Sequence, residues 1–194
     1  MPPSSPRLFR AAAAAVLDAV ARRTAPPVVT DVRDDGLTAL PAAVLAELHE
    51  HVLAAERERV PGVLVVAGDP RGGTAVVVAD ARMTSREVRV YGVADRASLA
   101  AALTAHGFRP DATRVTLLDG WPDAADAEPV AVAYLGRRAA GPALAPLAAR
   151  LAPGGVLVVA SFTPDERRTV EAVAQAHGLA VARKPRRLSL RREA

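Results

Sequence analysis

The sequence predicts a three-layer α/β fold built on a mostly parallel sheet that closes in a C-terminal antiparallel hairpin. Three observations carry this. Short, continuous apolar runs alternate with helical stretches from residue 63 to residue 191. The runs lack the in-out alternation of half-exposed strands, so both faces of the sheet must be covered, with right-handed crossovers placing helices on each side. The last two runs, 179–183 and 187–191, have only "KPRR" between them, too little chain for a crossover, so they must pair antiparallel.

Taken in chain order, Leu8, Ala12, Val16 and Val20 recur at helical spacing and predict an amphipathic N-terminal helix that packs on the domain or on a second subunit. Asp18 interrupts its apolar run and Arg22 and Arg23 close it, which excludes a signal peptide and a membrane span. The Pro26-Pro27 pair and the polar "TDVRDDG" predict a linker, and a second helix starts near Pro41. Residues 1–59 are thus expected as a helical extension and 60–194 as the α/β domain. Its expected elements are strand 63–67, helix 73–83, strand 88–93, helix 95–106, strand 114–118 and strand 130–135, then helix 139–151, strand 155–160 and helix 164–177 before the hairpin. In a sheet of this kind ligands bind beyond the carboxyl ends of the strands, at the topological switch point.

Composition narrows the chemistry. At 194 residues the chain can bury one substantial core. The absence of cysteine excludes disulfides, thiolate nucleophiles and Cys-ligated zinc, and is compatible with a cytoplasmic location. A net charge of +4 is modest for a nucleic-acid binder, so neither nucleic acid nor membrane is expected as a partner. The basic cluster Arg183, Lys184, Arg186, Arg187, Arg191 and Arg192 alternates with Val181, Leu188 and Leu190, as a solvated strand pair does. His49 and His51 are two apart on a helix and cannot form an i, i+4 metal pair, while His106 and His177 end helices, where imidazolium suits the dipole. Ser161, Thr163 and Asp165 resemble a nucleophile set, but Thr163-Pro164-Asp165 is what a helix start requires by itself.

Five blocks in order then resemble one family. They are "DGLTALPAAVLAELHEHVLAAERERVPG", the glycine loop "GDPRGG", "VRVYGVAD", "VTLLDGWPD" and "LAARLAPGGVLVVASF". Together they resemble the macrocin O-methyltransferases, metal-dependent enzymes of the class I methyltransferase fold that methylate sugar hydroxyls of actinomycete metabolites. The resemblance covers about 150 residues. It implies a Rossmann-like sheet and a homodimer. It also implies an S-adenosylmethionine site at Gly68, Arg71, Gly72, Gly73, Asp95 and Trp121, with substrate near Tyr134 and Ser161.

Departures from the family fall on its carboxylates. The acid two residues before the first loop glycine is replaced by Val66, and the ribose-binding Asp by Ala94, with Asp95 one step along. The Asp-Gly-Asp of metal and catalysis matches Ala133-Tyr134-Leu135 without a gap, and the late Asp-Asp pair matches Ala160-Ser161. Magnesium needs hard oxygen ligands, so no metal is expected. Each lost charge-assisted bond weakens the cofactor by roughly 1.5–3 kcal/mol. The loop glycines are compatible with either a retained anion cradle or a plain tight turn. Arg71 either reaches an anion or lies along the surface, and Trp121 either stacks on a ligand or closes the core.

Two functions follow from this. The first is a methyltransferase-fold protein that needs no cofactor, its S-adenosylmethionine binding weak or lost. It would serve natural-product biosynthesis as an accessory protein or a metal-free cyclase or isomerase on a small-molecule intermediate. The second is an active O-methyltransferase that uses S-adenosylmethionine without metal.

Overall fold

The computed structural model of the chain describes residues 18–21, 23–92, 95–110, 113–123, 125–137, 139–160, 163–184 and 187–193. Its elements are α1 (Pro27–Asp34), α2 (Ala42–Arg57), β1 (Val63–Ala67), α3 (Gly73–Ala81), β2 (Val88–Tyr91), α4 (Arg96–Ala105) and β3 (Val115–Leu118). They continue with β4 (Val130–Leu135), α5 (Ala140–Arg150), β5 (Leu151–Ala160), α6 (Pro164–Ala176), β6 (Ala180–Lys184) and β7 (Arg187–Arg191). Helical residues 18–21 and 23–24 precede α1, while Leu8, Ala12 and Val16 of the expected N-terminal stripe lie outside the described residues.

All seven strands join one sheet in the order β3-β2-β1-β4-β5-β7-β6. Every pair is parallel except β5–β7 and β6–β7, so the expected closing hairpin is present. The order reverses between β1 and β4, whose residues Val66 and Tyr134 stand side by side in the ladder. The two strands are buried at every position, which explains why their sequences run apolar without alternation.

Two cores flank the sheet. On one face Leu64, Val66, Val132, Tyr134 and Val158 meet α1, α2, α3 and α4, so the N-terminal helices share the core of the domain. On the other, Val65, Ala133, Leu135, Leu157 and Val159 meet α5 and α6. The described residues between β3 and β4 hold no helix, and this crossing is tied down by Asp126. Its carboxylate accepts the Tyr91 hydroxyl and Arg150 Nη1, both at 3.0 Å.

Two expectations are corrected. The Pro26-Pro27 "linker" is helix α1: Pro27 occupies the first helical position, where its missing N–H costs nothing, and Val28, Val29 and Val32 form a buried face. Strand β5 starts at Leu151 rather than at residue 155, because Leu151 already pairs with Val130 before the register shifts to Val132–Val156. Gly155 sits in that irregularity, where a Cβ would come within 3.0 Å of the Ala131 and Val130 carbonyls.

Candidate functional site at the glycine loop

Strand β1 ends in Ala67, and the chain then turns through Gly68 (φ 76°) and Gly72 (φ 87°), left-handed conformations that only glycine adopts without strain. The turn delivers Asp69 beneath the start of α3. One oxygen of its carboxylate accepts the amides of Thr74 at 2.7 Å and Ala75 at 3.1 Å. Burial pushes this carboxyl above its ordinary value, a rise that the amides of Ala75, Thr74, Gly72 and Arg71 oppose without cancelling. The helix N-terminus that a ligand anion would seek is therefore already met by a protein carboxylate.

A strap from the N-terminal half closes the loop from above. The Leu37 carbonyl accepts the Gly73 amide at 3.2 Å, and Arg71 Nη1 donates to the Gly36 carbonyl at 2.9 Å. A Cβ at Gly73 would stand 2.8 Å from the Leu37 oxygen, one at Gly72 would overlap Leu99, and one at Gly68 would reach 3.0 Å from Ala139 Cβ. The space made by omitting three side chains is filled by residues of the chain itself.

The other expected residues are dispersed. Asp95 caps α4, accepting the Ser98 amide at 3.0 Å, and the Ser98 hydroxyl holds its carboxyl below the ordinary value. Trp121 lies against Gly92 at the end of β2, its ring 2.5 Å from where a Cβ would be, and it packs on the α5–α6 core. Tyr134 is 3% exposed and shares the loop with Asp69; burial first, and the Asp69 charge second, push its hydroxyl well above the ordinary value. Ala94 and Ser161 lie outside the described residues.

The family's Asp-Gly-Asp was expected at Ala133-Tyr134-Leu135, inside β4, where Ala133 and Leu135 are fully buried. The glycine that stands at the strand end is Gly136, packed on the Gly68 carbonyl and flanked by Leu135 and Arg137. Arg137 follows it and lines the cleft at the end of β4. Among the described residues no three His, Asp or Glu side chains converge as a metal set. His49 faces Asp80 at 3.3 Å, His106 faces Asp35 at 3.2 Å, and Thr163 caps α6 in a capping box with Glu166, as its helix-start signature requires.

One cleft opens here, about 200 Å³ in volume, between the strap, the loop and the end of β4. Thr74 and Tyr134 lie inside it, with Arg71 and Arg137 on its rim. The Thr74 hydroxyl is buried and has no hydrogen-bond partner. A larger groove of about 540 Å³ lies between α6 and β6, but it is remote from the switch point and is bridged by the Arg183–Glu171 pair. Sequence reasoning missed Asp69, Thr74 and Arg137. The signal for Asp69 was present in its Asp-Pro dipeptide just before a helix, a turn-and-cap signature.

No known family model matches the sequence, and no curated protein is similar to it. Solved structures are similar. An O-methyltransferase family protein from Burkholderia thailandensis aligns with TM-score 0.60 and 17% identity over 84% of this chain and 59% of that one. The O-methyltransferase NovP aligns at 0.60 and 18%, over 81% and 82% of the two chains. An S-adenosylmethionine-dependent O-methyltransferase from Thermotoga maritima aligns at 0.63 and 14%, over 87% and 72%. The chain thus spans 59% of the length of the Burkholderia protein. At such identities likeness establishes architecture, and the architecture of this chain is the class I methyltransferase fold.

Proposed function

We propose that this chain is a relative of the macrocin O-methyltransferases that no longer transfers methyl groups. It acts in natural-product biosynthesis on a small-molecule intermediate, as an accessory protein or as a metal-free enzyme of the cyclase or isomerase type. The observation that carries the reading is the Asp69 carboxylate on the Thr74 and Ala75 amides, under a strap whose Leu37 carbonyl takes the Gly73 amide. With those amides engaged and Gly72 covered by Leu99, the loop does not fit the cofactor that the resemblance implies. Arg137 at the end of β4 argues in the same direction, since a permanent cation there repels a metal ion.

We place the protein in the cytoplasm as a homodimer. Among the described residues no helix is long and apolar enough to cross a membrane. The test is calorimetric titration with S-adenosylmethionine, with and without magnesium. No saturable heat is expected in either case. Tight binding would overturn the reading.

The second reading, a metal-independent O-methyltransferase, is favoured by the likeness to S-adenosylmethionine-dependent enzymes such as the Thermotoga protein. It requires the strap at 37–40 to leave the loop. The same titration separates the two.

A further inference from the structure

The Thr74 hydroxyl is the unexplained group at this site. Thr74 is 1% exposed, its Oγ1 has no partner, and the residue lines the cleft. Native interiors leave few such hydroxyls unmet, and those that remain unmet ask for a missing partner. Tyr134 lies in the same cleft, its burial keeping the phenol protonated and able to donate as well as accept.

The charges around the cleft are graded. Inside, the Asp69 carboxyl already accepts the Thr74 and Ala75 amides, so the floor offers no free amide to an anion. At the rim stand Arg71, which spends one nitrogen on the Gly36 carbonyl, and Arg137, whose charge is also felt by the capping Glu166. Each guanidinium keeps spare donors in the fork geometry that suits a carboxylate. Between floor and rim, Leu37 and Leu40 supply an apolar wall. A volume of about 200 Å³ equals six or seven waters at roughly 30 Å³ each. It lies below the roughly 300–1,000 Å³ of sites for larger ligands.

We infer that this cleft binds a small hydroxy acid of about ten non-hydrogen atoms, its carboxylate on Arg71 and Arg137 and its hydroxyl on Thr74 and Tyr134. The inference rests on the proposed function, because the cleft has these dimensions only while the strap covers the glycine loop.

The experiment measures melting temperature and calorimetric affinity for the full chain with 3-hydroxybenzoate and 4-hydroxybenzoate. Benzoate, which lacks the hydroxyl, and hydroxybenzyl alcohol, which lacks the carboxylate, serve as matched controls. At least one hydroxy acid should raise the melting temperature saturably and bind about tenfold more tightly than both of its controls. Thr74→Val should erase the preference over benzoate, and Arg137→Gln the preference over the alcohol. Thr74→Val keeps the side-chain shape, and the comparison among ligands on the unaltered protein needs no variant at all. Absence of a saturable response to either hydroxy acid, or an unchanged preference in Thr74→Val, overturns the inference. S-adenosylmethionine is titrated in parallel. If it stabilises the protein, the underlying reading fails and the inference with it; if neither it nor the acids respond, only the inference fails.

Discussion

The carboxylate of Asp69 accepts the backbone amide of Thr74 at 2.7 Å, binding the floor of the cleft to the first turn of α3. This contact takes the position that an anionic ligand holds in a glycine-loop site, and it makes the loop a cap for its own helix. Replacing Asp69 by Ala leaves the buried Thr74 and Ala75 amides unmet. The expected loss is about 1–3 kcal/mol, read by urea unfolding. Sulfate should restore part of that stability in Asp69→Ala and add little to the unaltered protein, since only the variant exposes free amides. An unchanged unfolding midpoint would mean that the cap carries no energy.

Two glycines on helices separate packing from propensity. Gly141 in α5 has nothing beyond its own chain neighbours and helix within 4 Å of a built Cβ, whereas at Gly73 the same atom would meet the Leu37 oxygen at 2.8 Å and Thr38 Cβ at 2.9 Å. Pro142 follows it, and a proline ring crowds the Cβ of a helical residue before it, so Gly141→Ala should gain little from helix propensity and stay within about 0.5 kcal/mol of the unaltered protein. Gly73→Ala should instead destabilise by about 1–3 kcal/mol, because the strap must lift to admit a methyl group. Equal effects at the two sites would show that the strap does not press on the loop.

The sheet was legible because burial on both faces writes itself as unbroken apolar runs: Val63–Ala67 and Val130–Leu135 coincide with the runs read from the sequence. Helix α1 was not legible, since Pro-Pro followed by polar residues looks like a break until Val28, Val29 and Val32 are seen on one buried side. The site was harder still. Glycines announce a turn, but nothing local says whether a ligand or residues 37–40, far away in sequence, fill the space they leave. Tyr134 was placed near the loop by its position at a strand end, whereas Asp69 escaped because the family's acids lie at other positions of the pattern. The unmet Thr74 hydroxyl is a property of packing and has no sequence signal.

Trp121 offers a test of local packing at the end of β2. It is the only tryptophan in the chain. Gly92 has φ 68°, and its missing Cβ would lie 2.5 Å from the Trp121 ring. Gly92→Ala is strained in both backbone and space, so it should expose the indole and shift its emission to the red, with a loss of roughly 1–3 kcal/mol. Unchanged emission would place the ring elsewhere.

Glu47 gives the fold an acid-sensitive tie. From α2 it reaches the closing hairpin, with Lys184 Nζ at 2.8 Å and Arg187 Nε at 2.8 Å, while His51 Nε2, one turn along its own helix, approaches to 3.5 Å without a hydrogen bond. Burial raises its carboxyl, but the approach of His51 and the contacts of Lys184 and Arg187 outweigh this and hold it far below the ordinary 4.5. The unfolded chain therefore binds the proton that the folded chain refuses. The tie contributes fully above about pH 4.5, and its contribution fades as pH falls from there toward the lower folded value. Glu47→Gln should cost about 2 kcal/mol at pH 7, less than the loss of a partner from a fully buried pair, since Lys184 is half exposed. More specifically, the stability gap between the unaltered protein and Glu47→Gln should narrow from pH 5 to pH 3. Unfolding curves collected across that range decide the matter: a gap that stays constant with pH would mean that Glu47 titrates alike in the folded and unfolded chains, and the tie would be geometry without electrostatic consequence.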